Sequence, residues 1–374
     1  MTLRIVHLTT VHSRYDIRIF HKECMSLARH WDTHLIVADG KGDETVSGVN
    51  LHDVGKPTGR LARMAFAPWR VYRRARYLAA SIYHFHDPEL IPVGLLLRWH
   101  GAHVIYDAHE DLPRQILDKY WLPRWSRRIA ARLFERLEDF AARRFSAVVG
   151  ATPHITERFR HVGARAENIN NFPLPGELEA PGDAPAIAER DERTLCYIGG
   201  ISAVRGIREL IMALPAARAT LLLAGPFENA NLEAELRAMP QWKHVRYYGV
   251  VDRQGVRDIM ARSRLGAVLF HPTPNHVNAL PNKMFEYMSA GIPVLASGFP
   301  LWRDIIETTS SGVCVEPLDI GAISDALNQL LDNPSNLEAM GAAGKRAIED
   351  AYNWGKEEQS LYRLYQNIAL EFPC

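Results

Sequence analysis

The sequence predicts an α/β protein of two domains, each built on its own parallel sheet. Three observations predict this. At 374 residues the chain exceeds what one hydrophobic core ordinarily holds. Short apolar or β-branched runs alternate with amphipathic stretches, the pattern of βα units. Between two such series lies "NFPLPGELEAPGDAPAIAERDE", whose prolines, glycines and acidic residues read as an exposed linker. The domains are placed at 1–172 and 191–352, with the linker at 173–190 and a terminal helix at 353–374.

In chain order, the first half offers strands at Arg4–Leu8, Thr33–Val37, Ser81–Phe85, His103–Tyr106 and Ala147–Gly150. The second half offers Thr194–Ile198, Ala219–Ala224, Val245–Tyr248, Leu265–Phe270, Pro293–Ala296 and Gly312–Val315. Helical patterns fall between them, as at Ile207–Leu214 and Arg253–Ala261. In the tail, Leu361, Leu364, Tyr365 and Ile368 recur at helical spacing, so a last helix either caps its own domain or packs back on the first.

Composition is that of a soluble globular enzyme, 47% hydrophobic and 23% charged. No apolar run approaches the ~20 residues of a membrane span. The N-terminus enters a strand-like run without signal-peptide architecture, and Cys24, Cys196, Cys314 and Cys374 lie too far apart for a zinc or disulfide framework. A reduced, cytoplasmic chain is expected. Net charge is +1 but uneven: residues 1–170 hold 26 Lys+Arg against 18 Asp+Glu. The excess lies in "GRLARMAFAPWRVYRRARYLAA" (59–80) and "LPRWSRRIAARLFERLEDFAARRF" (122–145). These are either solvated amphipathic helices or a surface that rests on anionic lipid. No nucleic-acid module accompanies the charge, so no nucleic-acid partner is expected.

Ligands of open α/β sheets sit beyond the carboxyl ends of the strands. After the first strand comes "TTVHSRYDIRIFHKE", with His12, Asp16 and Arg18. It has no glycine, against the G-x-G-x-x-G of a nicotinamide enzyme. Asp16 and Arg18 also fit a surface pair or helix cap. Later strand ends carry His86 and Asp87, then Asp107, His109, Glu110 and Asp111. No H-E-x-x-H and no Asp-x-Asp occurs, so a site without metal is preferred. In "LCYIGGISAVRGIREL", Gly199 and Gly200 permit close backbone approach, and Arg205 with Gly206 stands before a helix; together they favour a diphosphate. Gly249 and Val250 follow another strand, where a base could lie against the backbone. In "HVNALPNKMFEYMSAG", Pro281 fits the first turn of a helix ending near Ala290, and Gly291 its end. Its amides face Asn278, Ala279 and Leu280, an anion site beside Asn282 and Lys283. Glu286 is either an exposed helical glutamate or a carboxylate accepting hydrogen bonds from a ribose diol.

With these residues assembled, the chain resembles the retaining glycosyltransferases of GT-B fold, family 4 (group 1), of bacterial surface-polysaccharide type. The resemblance runs from "HLTTVHSRYDIRIFHKE" through "HFHDPELIPVG", "YDAHED", "NNFPL", "YIGGISAVRGI" and "LPNKMFEYMSAGIPVLAS" to "YNW". It implies two Rossmann-like domains facing across a cleft, with the last helix crossing back to the N-terminal domain. The family's Glu-x7-Glu signature puts its ribose-binding glutamate on Glu286 and its sugar-contacting glutamate on Asn278. Of its phosphate motif, Arg205 keeps one cation and Gly200 replaces the usual arginine. The family's histidine near the transferring sugar matches His109, giving His109, Arg205 and Glu286 as catalytic residues. His12, Asp16, Arg18, His86, Asp87 and Glu110 join His109 on the acceptor side. The expected activity is transfer from a UDP- or GDP-linked sugar, without metal or other cofactor, to a lipid-linked or oligosaccharide acceptor. The location implied is the cytoplasm or the cytoplasmic membrane face. A GT-B nucleotide-sugar epimerase and a non-catalytic nucleotide-sugar-binding subunit are the alternatives.

Overall fold

The computed structural model describes residues 3–117, 123–178, 186–191 and 193–371. Leu122, residues 179–185 of the expected linker, and residues 372–374 with Cys374 lie outside them. Two compact units emerge, Met1–Asn171 together with Trp354–Cys374, and Phe172–Asn353.

The first unit holds eight strands: β1 (Arg4–Leu8), β2 (Asp32–Val37), β3 (Glu44–Val46), β4 (Val49–Asp53), β5 (Ile82–Phe85), β6 (His103–Ala108), β7 (Ala147–Gly150) and β8 (Ala166–Asn168). Their order is β3-β4-β2-β1-β5-β6-β7-β8, and only the β3–β4 pair is antiparallel. The second unit holds β9 (Thr194–Ile198), β10 (Thr220–Ala224), β11 (Val245–Tyr247), β12 (Leu265–Val268), β13 (Val294–Ser297) and β14 (Gly312–Val315). Their order, β11-β10-β9-β12-β13-β14, is the doubly wound arrangement, all parallel. Central strands such as β5, β7 and β9 are buried along their whole length, as parallel strands covered on both faces must be.

Three expectations need correction. β3, β4 and β8 are strands the sequence pattern did not announce. The hairpin between β3 and β4 turns at Ser47-Gly48, where Gly48 supplies a positive φ of 80°. The strand expected to reach Phe270 ends at Val268. The described parts of the linker are packed at some positions: Leu178, Ile187 and Arg190 are buried in the second unit, while Pro175, Gly176, Ala186 and Glu189 are exposed. A polar, proline-rich average concealed apolar residues that dock singly.

The tail forms a helix, Trp354–Ala369, within the first unit. Leu361, Leu364, Tyr365 and Ile368 are its buried face. Trp354 Nε1 donates to Ser26 Oγ at 3.0 Å and Tyr362 Oη to the Ser26 carbonyl at 2.9 Å. The Glu357 carboxylate accepts from the backbone and side chain of Asn170. No helix among the described residues is long and apolar enough to cross a membrane.

Candidate active site

In each unit the strand order reverses at one place, between β1 and β5 and between β9 and β12. Such switch points leave a crevice beyond the strand ends. Most of the expected site residues gather at these two places.

In the second unit, β9 runs into Gly199, whose φ of 114° only glycine tolerates easily. A Cβ on Gly225, after β10, would lie 2.0 Å from the Gly199 carbonyl oxygen, so both turns are held tight by missing side chains. The Gly200 carbonyl accepts from Tyr197 Oη at 2.9 Å and from Arg205 Nη1 at 3.1 Å. A Cβ on Gly200 would meet Arg205 Nη1 at 2.8 Å. The Arg205 guanidinium thus fills the space a side chain at 200 would need, and one arginine stands where the family pattern has a cation on each side. Gly206 follows with φ 71°, its Cα pressed against the Leu269 carbonyl so closely that any Cβ would collide.

β12 feeds the loop 269–280, and the helix beyond it spans Asn282–Ser289. Pro281 is its extended cap residue rather than part of its first turn, and Gly291 ends it with φ 67°. Trp302 Nε1 pins the loop by donating to the Ala279 carbonyl at 2.6 Å. Asn278 and Leu280 are half-buried in that loop and Asn282 is exposed at the helix start.

Lys283 is the most informative residue here. Its side chain is buried, and its ammonium has no hydrogen-bond partner. Nζ lies 3.5 Å from the Tyr197 ring centroid and about 3.7 Å from where a Gly199 Cβ would be. Burial, reinforced by the Arg205 charge, pushes its pKa well below the usual lysine value. An unpaired buried ammonium is costly. Beside Arg205, two glycine turns and a helix N-terminus, it is built to meet an anion.

Glu286 is half-buried, not a free surface glutamate. Its Oε1 accepts from Arg253 Nη1 at 3.0 Å, and Arg253 Nε donates to Glu177 at 2.8 Å. Sequence reasoning missed Arg253 and Glu177. Arg253 opens a helix capped by Asp252, directly after the Gly249–Val250 turn. In that turn Gly249 accepts from the Gly225 amide at 2.7 Å, and Val250 is exposed.

In the first unit, Asp16 caps a wide π-type helix, Ile17–Cys24, accepting from the amides of Arg18 and Ile19. Although burial raises its pKa, the hydrogen bond from His12 and the Ile19 amide hold it well below the usual carboxylate range. Burial lowers the His12 pKa, but Asp16, Asp87 and Asp107 outweigh it and raise it overall. Arg18 is not in a surface pair: it is buried, and its Nε and Nη2 bond both oxygens of buried Asp107 at 2.8 Å. Asp107 also accepts from His109 Nε2 at 2.8 Å and His86 Nδ1 at 3.1 Å. Against the cost of burial, Arg18 and His109 keep its pKa well below the carboxylate norm. Burial brings His86 down to about 4, so its ring is neutral at pH 7.

Asp87 serves the loop after β1: Oδ2 accepts from Thr9 Oγ1 at 2.8 Å and from the Thr10 amide at 2.5 Å. Glu110 is exposed and bonded by Gln115. His12 and His109 face each other with ring centroids 5.1 Å apart. The structure therefore brings His12, Asp16, Arg18, His86, Asp87 and His109 together, and leaves Glu110 at their edge. Beneath them lie His7, His84 and Glu23, all buried and all overlooked in the sequence. The alternation in "HFH", which puts His84 and His86 on one face of a strand, was the available signal.

The two units thus carry an anion-seeking turn in one and a histidine–aspartate cluster in the other, each at a switch point of its sheet. The chain belongs to the group 1 glycosyl transferases: residues 183–347 match the family described as "Glycosyl transferases group 1", and residues 21–175 match "Glycosyl transferase 4-like domain". A phosphatidyl-myo-inositol mannosyltransferase of Mycobacterium leprae is 24% identical over 83% of this chain and 80% of its own. A GDP-mannose-dependent monoacylated phosphatidylinositol monomannoside mannosyltransferase of Corynebacterium glutamicum is 22% identical over 62% of this chain and 61% of its own. Among solved structures, sucrose-phosphate synthase of Thermosynechococcus elongatus aligns with a TM-score of 0.81 at 15% identity, covering 99% of this chain and 100% of that one. HepE of Anabaena, solved with UDP-glucose, aligns with a TM-score of 0.75 at 14% identity, covering 98% of this chain and 100% of that one. These neighbours give the GT-B fold.

Proposed function

We propose that this enzyme is a retaining transferase that moves a sugar from a UDP- or GDP-linked donor to a lipid-linked saccharide in surface polysaccharide assembly. The single observation that carries the donor half is the unpaired, buried Lys283 ammonium beside Arg205. As the bond between the anomeric carbon and the diphosphate oxygen breaks, negative charge grows on the leaving group. Lys283, Arg205 and the amides at 278–282 are the donors aimed at it. The acceptor hydroxyl bonds to the same face of the anomeric carbon, and its proton passes to the departing diphosphate oxygen. With two cations supplied by the protein, the diphosphate needs no metal. His109, oriented by Asp107, hydrogen-bonds the transferring sugar. The mannosyltransferase relatives are named for phosphatidylinositol-based acceptors, which favours a lipid-anchored acceptor.

The test is nucleotide release from a panel of UDP- and GDP-sugars, with and without a membrane lipid extract. Release that depends on the extract supports the proposal. Release with an altered free sugar and no acceptor indicates an epimerase, and binding without release a non-catalytic subunit. Glu286→Gln is expected to weaken nucleotide binding about 10- to 100-fold, the worth of hydrogen bonds to a charged group. Calorimetry with UDP and GDP measures it; unchanged affinity would remove Glu286 from the ribose.

The acceptor half rests on exposed apolar side chains among arginines. Along the helix Arg124–Ala142, Trp125, Ile129, Leu133, Leu137 and Phe140 form one exposed stripe beside exposed Arg128, Arg132 and Arg136. On the helix Arg60–Leu78, Phe66, Trp69 and Tyr77 are exposed with Arg70, Arg73 and Arg76. Such a face binds the headgroup region of anionic bilayers. Vesicles with anionic lipid should pull the protein down at low salt, and Leu133→Asp should reduce that severalfold. A protein that stays in solution with such vesicles would leave the lipid acceptor without support.

A further inference from the structure

Below the first unit's switch point four buried side chains converge, three of which have no assigned task. His7 lies on β1, His84 on β5, His86 just past it, and Glu23 on the helix Ile17–Cys24. All are buried, and the residues offer ligand atoms within 4.8 Å of one another. His7 Nδ1, His84 Nδ1 and His86 Nε2 stand 3.8, 3.7 and 3.9 Å from one atom, Glu23 Oε2. Those distances are too long for hydrogen bonds. Neither Glu23 oxygen has a hydrogen-bond partner, and neither does His84 Nε2. Arg18 Nε comes within 3.1 Å of Glu23 Oε1 as an ion pair, while its N–H donates to Asp107 Oδ2 at 2.8 Å.

A carboxylate buried among three imidazoles, hydrogen-bonding none of them, has more ligand-type neighbours than its ion pair with Arg18 accounts for. We propose that His7, Glu23, His84 and His86 form a closed structural site for one first-row divalent metal ion, zinc by the chemistry of its ligands. Three histidine nitrogens and one carboxylate oxygen are a tetrahedral zinc set. With bonds of about 2.0–2.1 Å, tetrahedral ligands lie roughly 3.3–3.4 Å apart. The three nitrogens need to approach Glu23 Oε2 by about half an ångström, and the 2.9 Å separation of His7 Nδ1 from His86 Nε2 needs to widen by about as much.

Two of the three histidines, His7 and His86, bond outward through the other ring nitrogen, as ligating histidines do. His86 Nδ1 meets Asp107 Oδ2 at 3.1 Å, and His7 Nε2 meets Tyr365 Oη at 3.3 Å. The Tyr365 hydroxyl also lies 2.8 Å from His84 Nδ1, while His84 Nε2 offers the alternative ligand atom. Four protein ligands leave no open position, so the ion ties β1, β5 and the helix 17–24 together. Through His86 it also fixes the carboxylate that orients His109. The site lies wholly in the first unit and supplies nothing to the diphosphate.

The experiment is refolding of the full chain in chelated buffer, with and without zinc, because a fully buried ion exchanges too slowly for simple soaking. After desalting, elemental analysis should find about one equivalent of zinc. The zinc-refolded protein should melt roughly 5–10 °C higher than the metal-free one. Cobalt refolding should give the visible absorption of a tetrahedral site. Glu23→Gln and His84→Gln should each bring retained metal to background. Where these variants fail to fold, the wild-type comparison decides alone. Wild-type protein that retains no metal and melts at the same temperature with and without zinc overturns the proposal, as does metal retained equally by both variants.

Discussion

Replacing Lys283 with methionine should lower turnover by about two to three orders of magnitude while leaving the fold as stable as before, or more so. The two halves of this expectation have one cause. Lys283 is buried, its ammonium bonds nothing, and burial together with Arg205 drives its pKa down. The folded protein bears the cost of holding that group ready. Methionine keeps the length and the contact with Tyr197 but removes the desolvated charge. In the proposed mechanism the same ammonium faces the leaving diphosphate, and losing one such donor costs about 10²–10³ in kcat. Initial rates of nucleotide release and a thermal melt check both halves. A structural lysine gives the opposite pattern, near-normal turnover with a lowered melting temperature, and that result would remove Lys283 from the phosphate site.

Legibility followed the range of the interaction. Gly199, Gly200 and Arg205 share one strand–turn–helix segment, and Pro281, Lys283, Glu286 and Gly291 another. Local chemistry announced both: glycines where the backbone must turn, a cation near a helix start, a carboxylate one turn on. The central strands were legible because burial on both faces makes them unbroken apolar runs. β3 and β8 were not, being three residues each with polar composition. What the sequence withheld were partnerships between distant positions. Glu286 is held by Arg253 and, through it, by Glu177. Arg18 finds its charge partner in Asp107, on another strand. Neither pair has a signature, because pairing is decided by the sheet order. The family's phosphate motif, with a cation at each of two positions, raises the same point: only the geometry explains why Gly200 is tolerable, since Arg205 folds into the space beside it.

The second large effect is expected at Asp107. Both its oxygens are bound by Arg18, and both His86 and His109 also point at Oδ2; Asp107, Arg18 and His86 are buried and His109 is half-buried. Asp107→Asn removes the carboxylate that binds Arg18 through both oxygens and leaves Glu23, 3.1 Å from Arg18 Nε, as its nearest charge partner; breaking such a buried pair costs about 3–5 kcal/mol. The melting temperature should fall by roughly 10 °C, and turnover should fall with it. Acid titration of the wild type should show the same ion pair. The folded pKa of Asp107 is held well below its ordinary value by Arg18 and His109, against the cost of burial. Its contribution is therefore complete above the unfolded carboxylate pKa of about 3.9, and drains away as pH falls below that toward the folded value. A double replacement, Arg18→Met with Asp107→Leu, separates the two roles. Apolar residues of similar size can replace a buried ion pair with little loss, so much of the stability should return. Turnover should not return, because His109 has lost the oxygen that fixes its ring. A double variant that regains both stability and rate would make Asp107 a purely structural charge and take away the positioning of His109.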